Sequence, residues 1–347
     1  MADLFSFDFL INLAIIAVSL VFLNLASDVV IKYATKVAAI SKLGKTSIGF
    51  TLISLSTTLP ELTVALSASL SGGAAISIGN AIGSNIFNIS AILGIGAVIL
   101  GLKIYISKRN IGRPIGCNNI IPKFVTSELS NIEFGLFVAS IVPLSLMYVS
   151  TEASWIVGLI LLIIFGAYLY RLSKVRITTA EADVEVTIEE KGKLKQYVLL
   201  TVLGALGVVI SANYMVQAAI SLATSAGVSQ QVIGATIVAL GTSIPELTIG
   251  VKSILRGHPN LALGNIIGAA FFNTTLILGV TLFVPVLVGS PLTSLNMGVY
   301  QNLIIFSIII NTFFWYFLSR KTITWKEGLV FLTIYALFLI TTLGIGI

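Results

Sequence analysis

The sequence predicts an all-α polytopic membrane protein, with ten transmembrane helices arranged as two inverted five-helix repeats. Three observations carry this reading. Apolar runs of about 20 residues recur along a 347-residue chain that is 56% hydrophobic and 10% charged, against roughly 25% charged residues in soluble domains. The stretch Gly49–Val98 returns at Gly234–Phe283, an offset of 185 positions, with 19 identities in 50 and no gap. All 20 Lys and Arg residues, finally, fall where a single side of the membrane can collect them.

Backbone groups left unpaired in lipid are too costly to tolerate, so only helices or closed barrels span a bilayer. The continuous apolar runs here exclude a barrel, whose strands alternate in hydrophobicity over about 10 residues. The spans read as 9–31, 47–70, 76–101, 131–150, 154–171, 196–222, 231–253, 260–288, 297–318 and 327–346. Between or beside them the basic residues fall into groups: Lys32 to Lys45, Lys103 to Lys123, Arg171 to Lys195, Lys252 with Arg256, and Arg320 to Lys326. With ten spans every group lies on one side, and Lys and Arg mark the cytoplasmic side. Both termini are then expected outside, in a multi-pass protein of the cell membrane. The net charge of +6 is topological and signals no nucleic-acid partner. The first ten residues carry Asp3 and Asp8 but no Lys or Arg, so no cleavable signal peptide is expected.

Five is odd, so the second half must run through the membrane upside down relative to the first, the architecture of many secondary transporters. We divide the chain into a first half, 1–172, holding the repeat 49–98; a charged cytoplasmic linker, 173–195; and a second half, 196–347, holding the repeat 234–283. One cysteine, Cys117, excludes an intrachain disulfide, and no Cys/His cluster suggests a resident metal or cofactor. No obligate protein partner is evident.

Of the 14 acids, only Glu61 and Glu246 lie well inside spans, and the repeat makes them symmetry mates. An ionisable residue at bilayer depth is a functional candidate by default. Each glutamate follows a proline, Pro60 or Pro245, which removes an amide donor and frees the carbonyl one turn earlier, that of Ser56 or Gly241. Hydroxyls at Thr57, Thr58, Thr242 and Ser243 add oxygens in the same turn. Broken helices near the midplane are where transporters bind cations, and a hard cation such as Ca²⁺ takes about 6–8 oxygens. In the following span of each half, Gly79 and Gly83, or Gly264 and Gly268, form G-x-x-x-G patterns that let helices approach closely. Ser84 and Asn88, and likewise Ala269 and Asn273, sit one turn apart and present one face to the glutamate. G-x-x-x-G more often marks packing alone, and a lone hydroxyl usually bonds its own backbone. Asp28 is read as structural near the interface, and His258 is given no role.

These residues resemble the duplicated motifs of the cation/Ca²⁺ antiporter superfamily, most closely its prokaryotic sodium/calcium exchangers. The G-T-S-x-P-E motif stands as Gly241-Thr242-Ser243-Ile244-Pro245-Glu246, and its first copy as Ser56-Thr57-Thr58-Leu59-Pro60-Glu61. The partner motif G-N-x-x-G-S-N-x-x-[ND] stands as Gly79–Asn88. The resemblance covers essentially the whole chain. It implies no enzyme, but an antiporter exchanging Ca²⁺ for Na⁺ by alternating access. It further implies that cations are held by Thr57, Thr58, Glu61, Ser84 and Asn88 and, in the second half, by Thr242, Ser243, Glu246 and Asn273. Two departures stand out. Ala269 replaces the family's usual serine. Asn273 replaces the aspartate of many members, notably the potassium-dependent branch, so transport independent of K⁺ is expected.

Three alternatives compete with this reading. Ca²⁺/H⁺ exchange through the same glutamates is the near rival. An intramembrane acid-pair hydrolase would need two carboxyls sharing a proton, and the G-x-G-D signature is absent. A channel would ordinarily build its acid ring from several subunits.

Overall fold

A computed structural model describes residues 7–41, 45–70, 74–111, 126–146, 154–174, 192–225, 239–289 and 300–343. Cys117, residues 175–191 of the linker and the first five residues of the second repeat lie outside the described residues.

Every regular element among the described residues is helical. In chain order these are α1 (Phe7–Ser41), α2 (45–57), α3 (Leu59–Leu70), α4 (74–111), α5 (Thr126–Leu146), α6 (Ser154–Lys174) and α7 (Leu194–Ser225). The short α8 (Ala239–Thr242), then α9 (Ile244–Leu255), α10 (259–287), α11 (Gln301–Ser319) and α12 (Trp325–Leu343) complete the series. Among the described residues six helices are long and apolar enough to cross a membrane, and a seventh span arises if α2 and α3, bent by 45° at Thr58, count as one. Glu133–Leu146 and Ser154–Tyr170 are apolar but shorter. The expected span 231–253 begins outside the described residues, and its described part, α8 and α9, is short. Among the described residues, length and composition alone therefore support six or seven spans where the sequence pattern suggests ten.

The 35 residues of α1 make a helix of roughly 52 Å at about 1.5 Å per residue, against a hydrocarbon core of about 30 Å. It continues ten residues beyond the expected span and carries Lys32 and Lys36 away from the apolar segment. Helix α7, with 32 residues, runs antiparallel beside it. Gly204 of α7 lies against Val29 and Val30, and Gly207 against Ala26. At one end Asn12 Nδ2 donates to Ser221 Oγ at 3.1 Å; at the other, Tyr33 stacks on Tyr197 with ring centres 5.5 Å apart. The outer face of α1 exposes Leu13, Val18, Phe22 and Leu25, each by half or more, which suits contact with lipid.

At the centre lies α10, in which every residue from Asn260 to Phe272 is buried. Phe271 and Phe272 pack with Phe50, Tyr168 and Phe165 in an aromatic cluster. Helix α2 crosses α10 backbone to backbone. A methyl group added at Gly264 would stand 2.1 Å from the Thr46 carbonyl oxygen, and one at Gly268 2.4 Å from that of Phe50. The expected G-x-x-x-G packing is thus real in the second half. In the first half Gly83 has nothing within 4 Å among the described residues, so close approach is not observed there.

Candidate functional site

Each half breaks its helix just before its glutamate. The first break falls at Thr58, where ψ is 5°, and the second at Ser243, where ψ is 7°. Glu61 and Glu246 therefore open new helices, α3 and α9, in their first turns, where the backbone amides offer positive potential to a carboxylate. Both glutamates are fully buried. Among the described residues neither has an ion-pair partner.

The two halves interlock across the site. Ser243 Oγ points at Glu61 Oε1 at 3.5 Å, and Thr242 also faces Glu61. Reciprocally, Thr57 and the Glu61 carboxylate face Glu246. Thr242 donates to Asn80 Oδ1 at 3.3 Å, while Thr57 reaches Asn265 Oδ1 at 3.5 Å. Asn80 and Asn265 are repeat mates, so each threonine at a helix break is held by an asparagine of the opposite half. Ser54 strengthens one of these links, reaching Asn265 O at 2.9 Å and its Oδ1 at 3.3 Å.

Asn88 and Asn273 both sit where α4 and α10 widen into a π-helical turn, Phe87–Ile92 and Asn273–Ile277. Such turns concentrate at functional positions because they free carbonyls and re-aim side chains. Ser90 and Thr275 take up two of the carbonyls, those of Ile86 at 2.5 Å and Phe271 at 2.7 Å. The widened turn of α4 packs on α9, which bears Glu246, and that of α10 packs on α3, which bears Glu61.

The structure therefore brings Glu61, Thr242, Ser243 and Ser84 together, the last through a 3.1 Å bond between Ser243 and Ser84. It places Thr57 beside Glu246. Thr58 is buried, but its hydroxyl is turned back to the Ser54 carbonyl, the local bonding that competes for any helical hydroxyl. Ala269, fully buried, offers no hydroxyl in return. Three asparagines were missed in the sequence: Asn80, Asn265 and Asn85. A signal for the first two was present. Asn80, Ser84 and Asn88 are spaced i, i+4, i+8 on one helix face, and Asn80 recurs as Asn265.

Among the described residues, Glu61 Oε2, both oxygens of Glu246, both amide atoms of Asn88 and Oδ1 of Asn273 are buried without a hydrogen-bond partner. Buried polar atoms are ordinarily satisfied, and each exception calls for a reason. Apart from the Asn88 nitrogen, these atoms are carboxylate and amide oxygens, with no third acid, histidine or cysteine clustered with them among the described residues. Oxygen-only donors suit a hard cation and not a soft one.

Comparison with known proteins places this arrangement in a class of ion-moving membrane proteins. The family model described as "Sodium/calcium exchanger protein" matches residues 11–174 and 196–344, and the chain belongs to that family. It is 30% identical over 348 residues to the sodium/calcium exchanger MaX1 of Methanosarcina acetivorans, covering 95% of this chain and 98% of the relative. Human sodium/potassium/calcium exchanger 4 is 29% identical over 150 residues, which cover 41% of this chain and 23% of that protein. Among solved structures, the sodium-calcium exchanger NCX_Mj soaked with Na⁺ and Sr²⁺ matches with a TM-score of 0.74 at 26% identity. That match covers 94% of this chain and 97% of the other.

Proposed function

We propose that the chain is a Ca²⁺/Na⁺ antiporter of the cell membrane that binds both ions, alternately, at the site between the two helix breaks. The observation that carries this reading is the set of buried, unpartnered oxygens. Two fully buried carboxylates with no cationic side chain beside them among the described residues are costly as they stand, and a bound cation offsets that cost. The ligands proposed are Thr57, Thr58, Glu61, Ser84 and Asn88, with Thr242, Ser243, Glu246 and Asn273. Family membership, together with relatives named for sodium and calcium, supports the choice of ions. The asparagine at 273 supports independence from K⁺.

The proposed architecture is ten spans in two inverted halves, 1–172 and 196–347, joined by a cytoplasmic linker at 173–195, with both termini outside. The contact of Thr57 with Asn265 and its repeat image, Thr242 with Asn80, are what a pseudo-twofold axis in the membrane plane would generate. Cys117 is a native probe of orientation: a membrane-impermeant thiol reagent is expected to leave it unlabelled from outside intact cells, and labelling from outside would refute the topology.

Function is tested by ⁴⁵Ca²⁺ uptake into proteoliposomes with imposed gradients. Uptake is expected to follow an outward Na⁺ gradient at fixed pH and to be insensitive to a proton ionophore. Uptake that ignores Na⁺ and collapses with the ionophore would reassign the driving ion to H⁺; uptake that needs no counter-ion would overturn antiport.

A further inference from the structure

The two amides of the site are not held alike. Asn273 is fully buried, and its Nδ2 donates to Asn85 Oδ1 at 3.1 Å. Its Oδ1 has no hydrogen-bond partner among the described residues. Asn85 is itself 2% exposed and belongs to α4, in the opposite half. By the repeat offset, Asn88 corresponds to Asn273, whereas Asn85 corresponds to Ala270. Alanine cannot accept a hydrogen bond through its side chain, and both amide atoms of Asn88 lack a partner among the described residues.

This difference matters because a carboxamide is ambivalent. One end is an acceptor that ligates cations, and the other carries two donors that repel them. A half-turn about the last side-chain bond exchanges the two at little cost unless a neighbour prefers one end. An acceptor placed to take the N–H leaves the oxygen free to face the ion. Outer partners of this kind, which orient a ligand without touching the metal, weigh heavily in metal affinity.

We propose that Asn85 is a positioning residue for cation binding: it holds the Asn273 amide with its oxygen toward the site, and Asn88 has no equivalent. The proposal rests on the reading that Asn273 is a ligand. It assigns the second half's ligand a fixed orientation supplied by the first half.

The test is a double-mutant cycle on the full chain in Na⁺-loaded proteoliposomes, reading the half-saturating Ca²⁺ concentration and the maximal rate of ⁴⁵Ca²⁺ uptake. Asn85→Ala is expected to raise the half-saturating concentration roughly tenfold, with the maximal rate little changed. In an Asn273→Asp background the same change should move it by less than about threefold, because a carboxylate presents oxygen whichever way it turns. An equal loss in both backgrounds would make Asn85 merely structural and overturn the proposal, as would no loss in either. Asn85→Leu, which keeps the volume and removes the acceptor, is expected to repeat the pattern and guards against a folding defect in the alanine variant. Asn273→Ala separates the two readings. If it leaves Ca²⁺ dependence unchanged, Asn273 is no ligand; if it weakens binding while Asn85→Ala does not, only the positioning role fails.

Discussion

The first repeat brings hydroxyls and amides to the centre of the molecule; the second brings charge to its edge. Ser77, Ser84 and Asn85 in the first correspond to Ala262, Ala269 and Ala270 in the second. The first half's three polar residues all bond across to the other half: Ser77 to Thr281 at 2.6 Å, Ser84 to Ser243 and Asn85 to Asn273. Conversely, Lys252 and Arg256 stand where the first repeat has Ser67 and Ser71. Both cations pair with Asp28 of α1, Arg256 at 2.7 Å, and Lys252 also bonds the Asn24 side chain at 2.7 Å. The repeat mate of Asp28 is Asn213, so the corresponding position on α7 is uncharged. A duplicated scaffold has kept its glutamates, with the prolines, threonines and asparagines beside them, and let the residues that bond across the halves and at the edge diverge.

If equality of the glutamates is the feature that matters, neutralising either should be about equally severe, and this is the largest effect expected. Each supplies one of two full charges. A unit charge about 4 Å away contributes roughly 4 kcal/mol at an effective dielectric of about 20, on the order of a thousandfold in affinity. Glu61→Gln and Glu246→Gln keep the shape and remove the charge. ⁴⁵Ca²⁺ uptake should fall to background in both, and near-normal flux in either would remove that residue from the site.

The next test adds charge instead. Asn273→Asp places a third carboxylate at a position that is fully buried and packed on the glutamate-bearing α3. The wild-type protein is expected to transport Ca²⁺ equally with and without K⁺. The variant, with a surplus negative charge, is expected to respond to K⁺ where the wild type does not. Strict K⁺ dependence of the wild type would refute the charge argument, and an identical change in Asn88→Asp would show that the halves are more alike than their hydrogen bonds suggest.

What could be read in the sequence, and what could not, divides along the same line. Duplicated prolines, glutamates and asparagines are local signals, and they led to Thr57, Glu61, Thr242 and Glu246, which the structure draws together. The breaks at Thr58 and Ser243 fall two residues before each proline, which therefore lies in the first turn of the new helix, where a missing amide costs no helical hydrogen bond. Contacts between halves were not legible. Nothing local to Asn85 announces that its partner is Asn273, 188 positions away. The widened turns at Asn88 and Asn273 were equally hidden, since Ser90 and Thr275 read only as hydroxyls in an apolar helix. G-x-x-x-G was legible as a pattern but not as a contact: Gly264 and Gly268 carry a close crossing, whereas at Gly83 there is space.

The charged edge yields a smaller prediction. The Asp28 side chain is 33% exposed and that of Arg256 44%, so the ion pairs should contribute no more than about 1 kcal/mol. If they tie α1 to α9 in one conformation of the transport cycle, Asp28→Asn should change the exchange rate by up to about fivefold at low salt, and the difference should shrink at high salt. A variant indistinguishable from wild type at low salt would leave the ion pairs without a part in the cycle.

The smallest effect concerns one oxygen. On one side of the site Ser243 meets the Ser84 hydroxyl; the repeat offset makes Thr58 and Ala269 the equivalent pair, and Ala269 has only a methyl group to offer. The Thr58 hydroxyl donates instead to the Ser54 carbonyl. Ala269→Ser adds a single oxygen at a fully buried position and would restore the match between the halves. Na⁺ carries half the charge of Ca²⁺ and draws less from the two carboxylates, so each neutral oxygen is a larger share of its binding. The added hydroxyl should therefore lower the half-saturating Na⁺ concentration by a few-fold, about what one net hydrogen-bond-sized interaction provides, and change that for Ca²⁺ less. Both are read from uptake measured at varied internal Na⁺ and varied external Ca²⁺. Equal shifts for the two ions would mean that the hydroxyl alters packing and not ligation. A loss for Na⁺ would mean that the alanine is the better residue for this site, its missing oxygen part of how the protein sets its ion preference.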